Sequence, residues 1–443
     1  MKKFKIQIFG ISPKMDEIVE MRSAEDERFE EANANDSIRF VQLSVEDVRD
    51  EIANEPTKEE EFRPDFTHQI FGENETIEKF ELGLRVVVSF DPSLRNVHVG
   101  VFDGGEDEKK KTELIEKLGP YLPADPQTDR DVFLSRVENH EIQGELMDTY
   151  SRDNERFEVR LQRLGKNCDE ARRFHASVET FALFFIDGAS NIDSEDSRWE
   201  LLTVWQTSPC TKFVGYMTLF TFTNPTRVKC PNSIRICQAI VLPTFQRKGH
   251  GKRLFRATHA IARKRNCYQV TVEDPAPGFS RLRDCEDMSV VCETNMFTSH
   301  DACECKPLDK ERLELAINKT LTTKDQIIRC YEAFILSQLD MSPSSNRDEN
   351  SDMYKPFRLM VKRRLYNFVE AESSEERKKL LQEKFTTLVR EYRTMRASSS
   401  SSCFASEKNK KRVLDQANRP DDAKRLCLRD DPLTSLGVTF KPN

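Results

Sequence analysis

The stretch that decides the fold is Cys237–Pro275, CQAIVLPTFQRKGHGKRLFRATHAIARKRNCYQVTVEDP. An apolar run ends at Pro243-Thr244-Phe245. The turn Gln246-Arg247-Lys248-Gly249-His250-Gly251 leads into a basic helical pattern over 252–265, and a second apolar run ends in Glu273-Asp274-Pro275. Strand, glycine turn, helix and strand in that order make an α/β unit. Residues 246–265 carry eight basic side chains and no acidic one, in a chain of net charge −7. Three readings compete for this knot of charge. One is a solvated helix face, the usual fate of a charge run. A second is a nucleotide P-loop, which fails because Gln246 stands where the first glycine is needed and Arg253 replaces the magnesium-holding Ser or Thr. The third is a cradle for a pyrophosphate. There Gly249 and Gly251 let backbone N–H groups converge on an anion, and the helix N-terminus adds unsatisfied donors and its dipole. Arg247, Lys248, Lys252 and Arg253 add charge.

Outward from this unit the chain divides. Residues 16–31 hold eight acidic and two basic side chains, so residues 1–36 read as an acidic disordered arm. Residues 37–135 read as a small mixed α/β domain. In it, GLRVVVSFDPSLRNVHVGVF alternates on both sides of a turn as a hairpin does, and EDEKKKTE near residue 110 is a solvated loop or helix start. Over 152–182 the spacing predicts a helix running into the buried run FALFFI. Strands follow in WELLTVWQ, KFVGYMTLFTF and IRICQAIVLPTF. Residues 136–305 form the α/β domain, 306–396 a helical domain, and 397–443 a disordered basic tail opened by the serine run 398–402.

Composition bounds the function. At 443 residues the chain is long enough for two or three domains. The acidic balance excludes a protein that coats nucleic acid. No apolar run approaches the ~20 residues that span a bilayer, and the N-terminus lacks the pattern of a signal peptide. The 12 cysteines form no CxxC pair, which points to reduced thiols and no metal site. The sequons at Asn74 and Asn318 are then chance matches.

The Q-x-x-G-x-G pattern after a strand resembles the coenzyme A-binding motif of the GNAT superfamily of N-acetyltransferases. With it, VGYMTLF (214–220), VTVEDPAPGFSRLRD (270–284), DFTHQIFGENET (65–76) and FRLMVKRRL (357–365) resemble the type B histone acetyltransferase family in the same order. The likeness runs from SIRFVQL to FTTLVREYRTM. It implies a GNAT fold, a mixed central sheet flanked by helices, with 37–135 as substrate-binding domain, 136–305 as acetyltransferase domain and a C-terminal helical domain. It implies acetyl-CoA as co-substrate, bound by Ala239, Ile240, Val241, Gln246, Arg247, Lys248, Gly249, His250, Gly251 and Lys252. The Ala239-Ile240-Val241 backbone would line the thioester as an oxyanion site. His250 would be a loop residue facing phosphate or solvent. Cys237 reads as core rather than nucleophile.

A free lysine, with pKa near ~10.4, is neutral in roughly one molecule in 2,500 at pH 7, a handicap of ~4.6 kcal/mol. A carboxylate must take that proton. The resemblance implies Glu273 as general base, with Asp274 and Asp187 as further acids near the substrate lysine. At Asp187 the family prefers Glu. Glu73, Asn74 and Glu75 match the family's tail-contacting acids, with Asn74 replacing an acid. Phe220, Thr221 and Phe222 match a tyrosine-rich peptide-facing stretch, here without the hydroxyls, and Ala276 replaces a polar residue of some relatives.

The implied reaction is direct acetyl transfer to lysines in the N-terminal tail of newly made, free histone H4. The implied partners are H4 with its partner histone and a WD-repeat histone chaperone, with no direct nucleic acid and no membrane. Lys410-Lys411-Arg412 and Lys424-Arg425 read either as a bipartite import signal or as a merely basic tail, and the expected location is nucleus and cytoplasm. Two rivals remain: an enzyme of the same superfamily acting on another protein or a small amine, and a histone-binding scaffold whose site has decayed.

Overall fold

The computed structural model describes residues 32–399, apart from 50–60, 79, 81–82, 103–106, 139, 294–295, 343–344, 346 and 372. Most of the acidic arm and nearly all of the basic tail therefore lie outside the described residues. In chain order come β1 (Ala32–Asn33), α1 (Ala34–Ser37), β2 (Ile38–Gln42), α2 (Val45–Arg49), β3 (Glu61–Phe62), α3 (His68–Phe71) and β4 (Thr76–Ile77). The expected hairpin follows as β5 (Arg85–Phe90) and β6 (Val97–Phe102), then α4 (Glu108–Leu118), β7 (Pro126–Gln127) and α5 (Arg130–Ser135). EDEKKKTE starts α4 because the Asp107 carboxylate accepts from Lys109 N at 3.1 Å and Lys110 N at 3.3 Å. The described residues begin inside the range assigned to the arm. Ala32 and Asn33 pair with Ile77 and Thr76, and the Asn33 side chain caps α1.

The second region holds β8 (Glu145–Arg152), β9 (Glu155–Arg163), α6 (Asp169–Phe185), β10 (Trp199–Ser208), β11 (Lys212–Thr223), β12 (Asn232–Val241), α7 (His250–Lys264), β13 (Gln269–Val272) and α8 (Pro277–Glu293). Residues 155–163 are a strand, not the start of the expected helix. Phe157, Val159 and Leu161 alternate inward, and Asp153-Asn154 at φ 51° and 68° make the two-residue turn that joins β8 to β9. The sheet order is β13-β12-β11-β10-β9-β8, antiparallel except for β12 with β13. The smaller sheet is ordered β3-β2-β5-β6-β7. The architecture is the α/β arrangement expected, a mixed sheet flanked by helices.

The two sheets share one hydrophobic core. FALFFI is the end of α6, and its rings reach into the smaller sheet: Phe184 and Phe181 stand 5.0 and 6.0 Å from Phe40, and Phe181 lies 5.4 Å from Phe90. A run too short for a membrane is thus the bolt between the first two regions. A second core belongs to α9 (Ser299–Glu304), α10 (Lys310–Thr320), α11 (Lys324–Met341), α12 (Lys355–Tyr366) and α13 (Ser374–Ser399), joined by Met288 and Val291 from the end of α8.

Candidate active site

The site starts from one irregularity in β12. Thr218 pairs with Gln238 but Leu219 pairs with Ile236, so Cys237 is the extra residue of a β-bulge. A bulge bends its strand and raises the local twist. β13 pairs in parallel with β12 only over Ser233–Ile236, and Glu273 N to Ile236 O, 2.9 Å, continues that pairing by one more bond. Beyond it the strands part. Leu242 N bonds Val214 O at 2.9 Å. By the alternation of antiparallel pairing, Ile240 also faces β11, which leaves the backbone groups of Ala239 and Val241 facing the opening. The Gln246 amide covers one of them, donating to Val241 O at 3.0 Å. Gly215 makes the close pairing here possible, since a Cβ on it would lie 2.3 Å from Ile240 O.

At one end of the opening, Leu242 passes through a 3-10 turn, Pro243–Phe245, into Gln246–Gly249. Arg247 at φ 63° and Gly249 at φ 88° are both left-handed, and Gly249 is the N-cap of α7. Such alternation turns successive amides toward one point, and a glycine N-cap offers no side chain to occupy the helix's first donors. The cradle fits a diphosphate. Gly251 sits close under α8: a Cβ there would meet Leu282 Cδ1 at 3.0 Å, so a larger residue would have to displace that side chain.

Much of the surrounding charge is already engaged. Arg253 pairs with Asp148 at 3.3 Å and lies over the Tyr150 ring at 4.7 Å. Lys252 and Arg256 share Glu286 at 2.7 and 2.6 Å. Arg152 donates to the Lys248 carbonyl, and Lys264 meets Glu145 at 3.3 Å. Strand β8 therefore braces the cradle at Tyr150 and Arg152 and the helix behind it at Asp148 and Glu145. Arg247 and Lys248 keep exposed side chains for an anion. Lys252 and Arg253, expected to add charge to the cradle, are drawn off by acids that only the fold brings near.

His250 corrects its expectation. The ring is 1% exposed, 4.5 Å from Phe157, and its Nδ1 lies 2.6 Å from the Tyr150 hydroxyl. Burial, with Lys248 and Arg152 nearby, lowers its pKa to about 4, so the ring is neutral and shares one hydrogen bond with the phenol. It faces neither phosphate nor solvent; it anchors the loop from beneath.

At the other end, Glu273 and Asp274 stand exposed on the turn after β13, with Asp274 at φ 31°. Arg235 Nη1 lies 3.9 Å from Glu273 Oε1. Burial pushes the Cys237 thiol well up, and the Glu273 carboxylate beside it adds to the shift. A thiol so held is protonated, which agrees with Cys237 having no nucleophilic part.

Of the remaining residues, Asp187 and Glu75 meet at His68. Its Nε2 is 4.0 Å from Asp187 and its Nδ1 3.8 Å from Glu75. Glu75 is engaged on both oxygens: Oε1 accepts from Thr67 N at 2.7 Å and His68 N at 3.1 Å, and Oε2 from Asn35 Nδ2 at 2.6 Å. It builds the turn into α3, while Glu73 and Asn74 stay exposed. The loop after Asp187 is tied to β12 where Gln238 Nε2 donates to Ser190 O at 3.1 Å. Phe220 is 9% exposed, wedged 4.7 Å from Trp199 and 4.6 Å from Phe222, so it supports the surface rather than forming it. Phe222 carries the Arg235 guanidinium at 4.5 Å. Sequence reasoning missed Tyr150, Asp148, Arg152, Gln238 and Arg235. Only the Asp-Asn turn signal at 153–154 hinted at the hairpin that carries the first three.

A split parallel pair, with an amide cradle at one end and exposed acids at the other, defines an N-acetyltransferase of the GNAT class. Residues 170–279 match the model of the acetyltransferase (GNAT) family, and 31–187 match that described as "Histone acetyl transferase HAT1 N-terminus". The chain is 27% identical over 386 residues to a histone acetyltransferase type B catalytic subunit of Homo sapiens, covering 81% of this chain and 85% of that protein. A Dictyostelium discoideum subunit of the same description is 25% identical over 367 residues, covering 76% of each chain. One of Mycosarcoma maydis is 32% identical over 241 residues, covering 51% of each. The chain belongs to the family of histone acetyltransferase type B catalytic subunits. Among the described residues no cluster suits a metal ion, and no helix is long and apolar enough to cross a membrane.

Proposed function

We propose that this histone acetyltransferase moves acetyl from acetyl-CoA to lysines in the tail of free histone H4, with Glu273 as general base. Acetyl-CoA supplies an acetyl group activated as a thioester. The chain's own residues bind, orient and accept a proton. The amides of the Gln246–Gly251 turn hold the diphosphate. The Ala239 and Val241 amides face the thioester carbonyl and favour charge developing on its oxygen. The observation that supports the reading is the opening between β12 and β13: their pairing stops near Ile236, and Glu273 stands exposed just beyond it. Glu273 takes the ammonium proton, and the neutral amine attacks without an acyl-enzyme. Exposed Glu73, Asp187 and Asp274 give a basic tail its acidic surroundings. A WD-repeat chaperone, the partner histone of H4 and shuttling between cytoplasm and nucleus belong to the same proposal, on the strength of the family.

Radiolabelled acetyl-CoA offered with an H4-tail peptide or with spermidine tests this. Wild type labels the peptide far faster than spermidine. A preference for spermidine assigns a small-amine acceptor instead, and acetyl-CoA binding without turnover leaves only a scaffold.

A further inference from the structure

The turn that carries Asp187 is pinned on both sides. Before it, α6 closes with Ile186 N bonded to Ala182 O at 2.9 Å. Ala189 N then returns to Ile186 O at 3.2 Å, with Gly188 left-handed at φ 65° between them. After it, two side chains from the interior take hold of the backbone. Glu179 of α6 accepts from Ile192 N at 2.7 Å, and Gln238 of β12 donates to Ser190 O at 3.1 Å. Gln238 is itself fixed by β11: the Tyr216 hydroxyl, on a fully buried ring, donates to its Oε1 at 3.3 Å, and its main-chain N–H donates to Thr218 Oγ1 at 3.0 Å. Asp187 is thereby left exposed at the crest of a short, tied segment, within 4.0 Å of His68.

Packing alone does not explain Glu179. Its side chain is only 12% exposed, and a covered carboxylate is unfavourable unless it is partnered. Burial pushes its pKa up, and the Ile192 N–H and the Gln238 amide are what oppose the shift. His175 stands 3.9 Å away and brings no charge, because burial lowers its own pKa to about 4. An apolar residue would fill the same space without the cost of burying charge. What the polar pair adds is a fixed place for the loop. Ser190 O and Ile192 N are held against one strand and one helix. Gln238 follows the bulged residue Cys237 and precedes Ala239, so one side chain joins the strand assigned to the thioester to the turn assigned to the acceptor.

We propose that Glu179 and Gln238 are positioning residues that lock the Asp187 turn onto β12, so that this acid meets a basic tail from a fixed place. The inference rests on the reading of Asp187 as part of the acceptor surface. Neither residue touches substrate; both act through Asp187. Loss of either bond frees the turn and weakens the hold on the tail, and leaves the diphosphate cradle as it is.

The test is a double-mutant cycle on the full-length protein, read as the KM for the H4-tail peptide, with acetyl-CoA affinity by calorimetry as the control for folding. Asp187→Ala raises that KM about fivefold, the upper range for an exposed charge. Gln238→Met and Glu179→Ala each reproduce a large part of the rise and leave acetyl-CoA affinity unchanged. Glu179→Gln restores most of it, because an amide oxygen still accepts from Ile192 N. In the Asp187→Ala background neither substitution adds a further rise, as expected of residues that act through one another. The inference is overturned if the clamp variants leave the peptide KM unchanged, if their effects add in full to that of Asp187→Ala, or if the loss falls equally on acetyl-CoA. A peptide KM unmoved by Asp187→Ala itself removes the acceptor reading of Asp187 and this inference with it. A KM raised by Asp187→Ala, with clamp effects that add in full, removes the clamp and keeps that reading.

Discussion

The two ends of the opening between β12 and β13 are built on opposite plans. At the cradle, Asp148 holds Arg253, Tyr150 holds His250, Arg152 holds the Lys248 carbonyl, and Glu286 holds Lys252. At the acid turn, Glu273 and Asp274 stand exposed, and Arg235 approaches no closer than 3.9 Å. Binding a diphosphate rewards donors fixed in advance, because no ordering remains to be done when the ligand arrives. A general base is useful only while its oxygens stay open to the incoming proton. Glu75 illustrates the alternative: a carboxylate engaged on both oxygens holds a turn together and has little left to offer a substrate.

The largest test of this contrast is Glu273→Gln. Losing a general base lowers kcat by about 10²–10⁴-fold, with acetyl-CoA affinity unchanged; a small loss would show that proton removal lies elsewhere. Next comes pH, read at the cradle end through His250. His250 folds with its pKa lowered to about 4. The unfolded chain, near the ordinary ~6.5, therefore binds the proton more readily. The stability it contributes is present above that unfolded value and is lost as pH falls toward about 4. Between pH 7 and pH 5 it amounts to on the order of 2 kcal/mol, read from urea midpoints. His250→Gln flattens that dependence, and an equally steep variant would assign it to the other buried histidines.

Gly249→Val strikes the same end through the backbone. A left-handed non-glycine residue costs roughly 1–2 kcal/mol, so acetyl-CoA binds about 5–30-fold more weakly by calorimetry while Glu273 chemistry survives at saturation. Tyr150→Phe removes one buried hydrogen bond, worth about 1 kcal/mol. It raises the KM for acetyl-CoA several-fold and leaves kcat alone; a drop in kcat instead would mean that β8 reaches the reacting atoms. The smallest effect is that of Glu73→Gln. An exposed charge contributes roughly 0.2–1 kcal/mol, so the KM for the H4-tail peptide rises by no more than a few-fold, and less at high salt.

Much of the site is legible in residues 237–275. The glycine turn, the helix after it and the acidic strand end are local features, and each follows from residue type and order. Residues 155–163 read as the start of a helix because Phe157, Val159, Leu161 and Leu164 satisfy a helical spacing nearly as well as an alternating one; the two-residue turn Asp153-Asn154 decides between them. Nothing in the composition of β8 says that its residues lie under the cradle. That depends on β8 being the far edge of the sheet, with α7 crossing back over it.

The sequence by itself determined the strand–turn–helix–strand order, the glycine at φ 88° and the family resemblance. Only the tertiary structure decided that His250 is buried, that Glu75 is spent on a turn, and that Lys252 and Arg253 are shared with acids of other elements. The reason is physical. Backbone preferences act between neighbours and leave their mark in short patterns. Which side chain meets which across the fold is set by strand register, bulges and core packing.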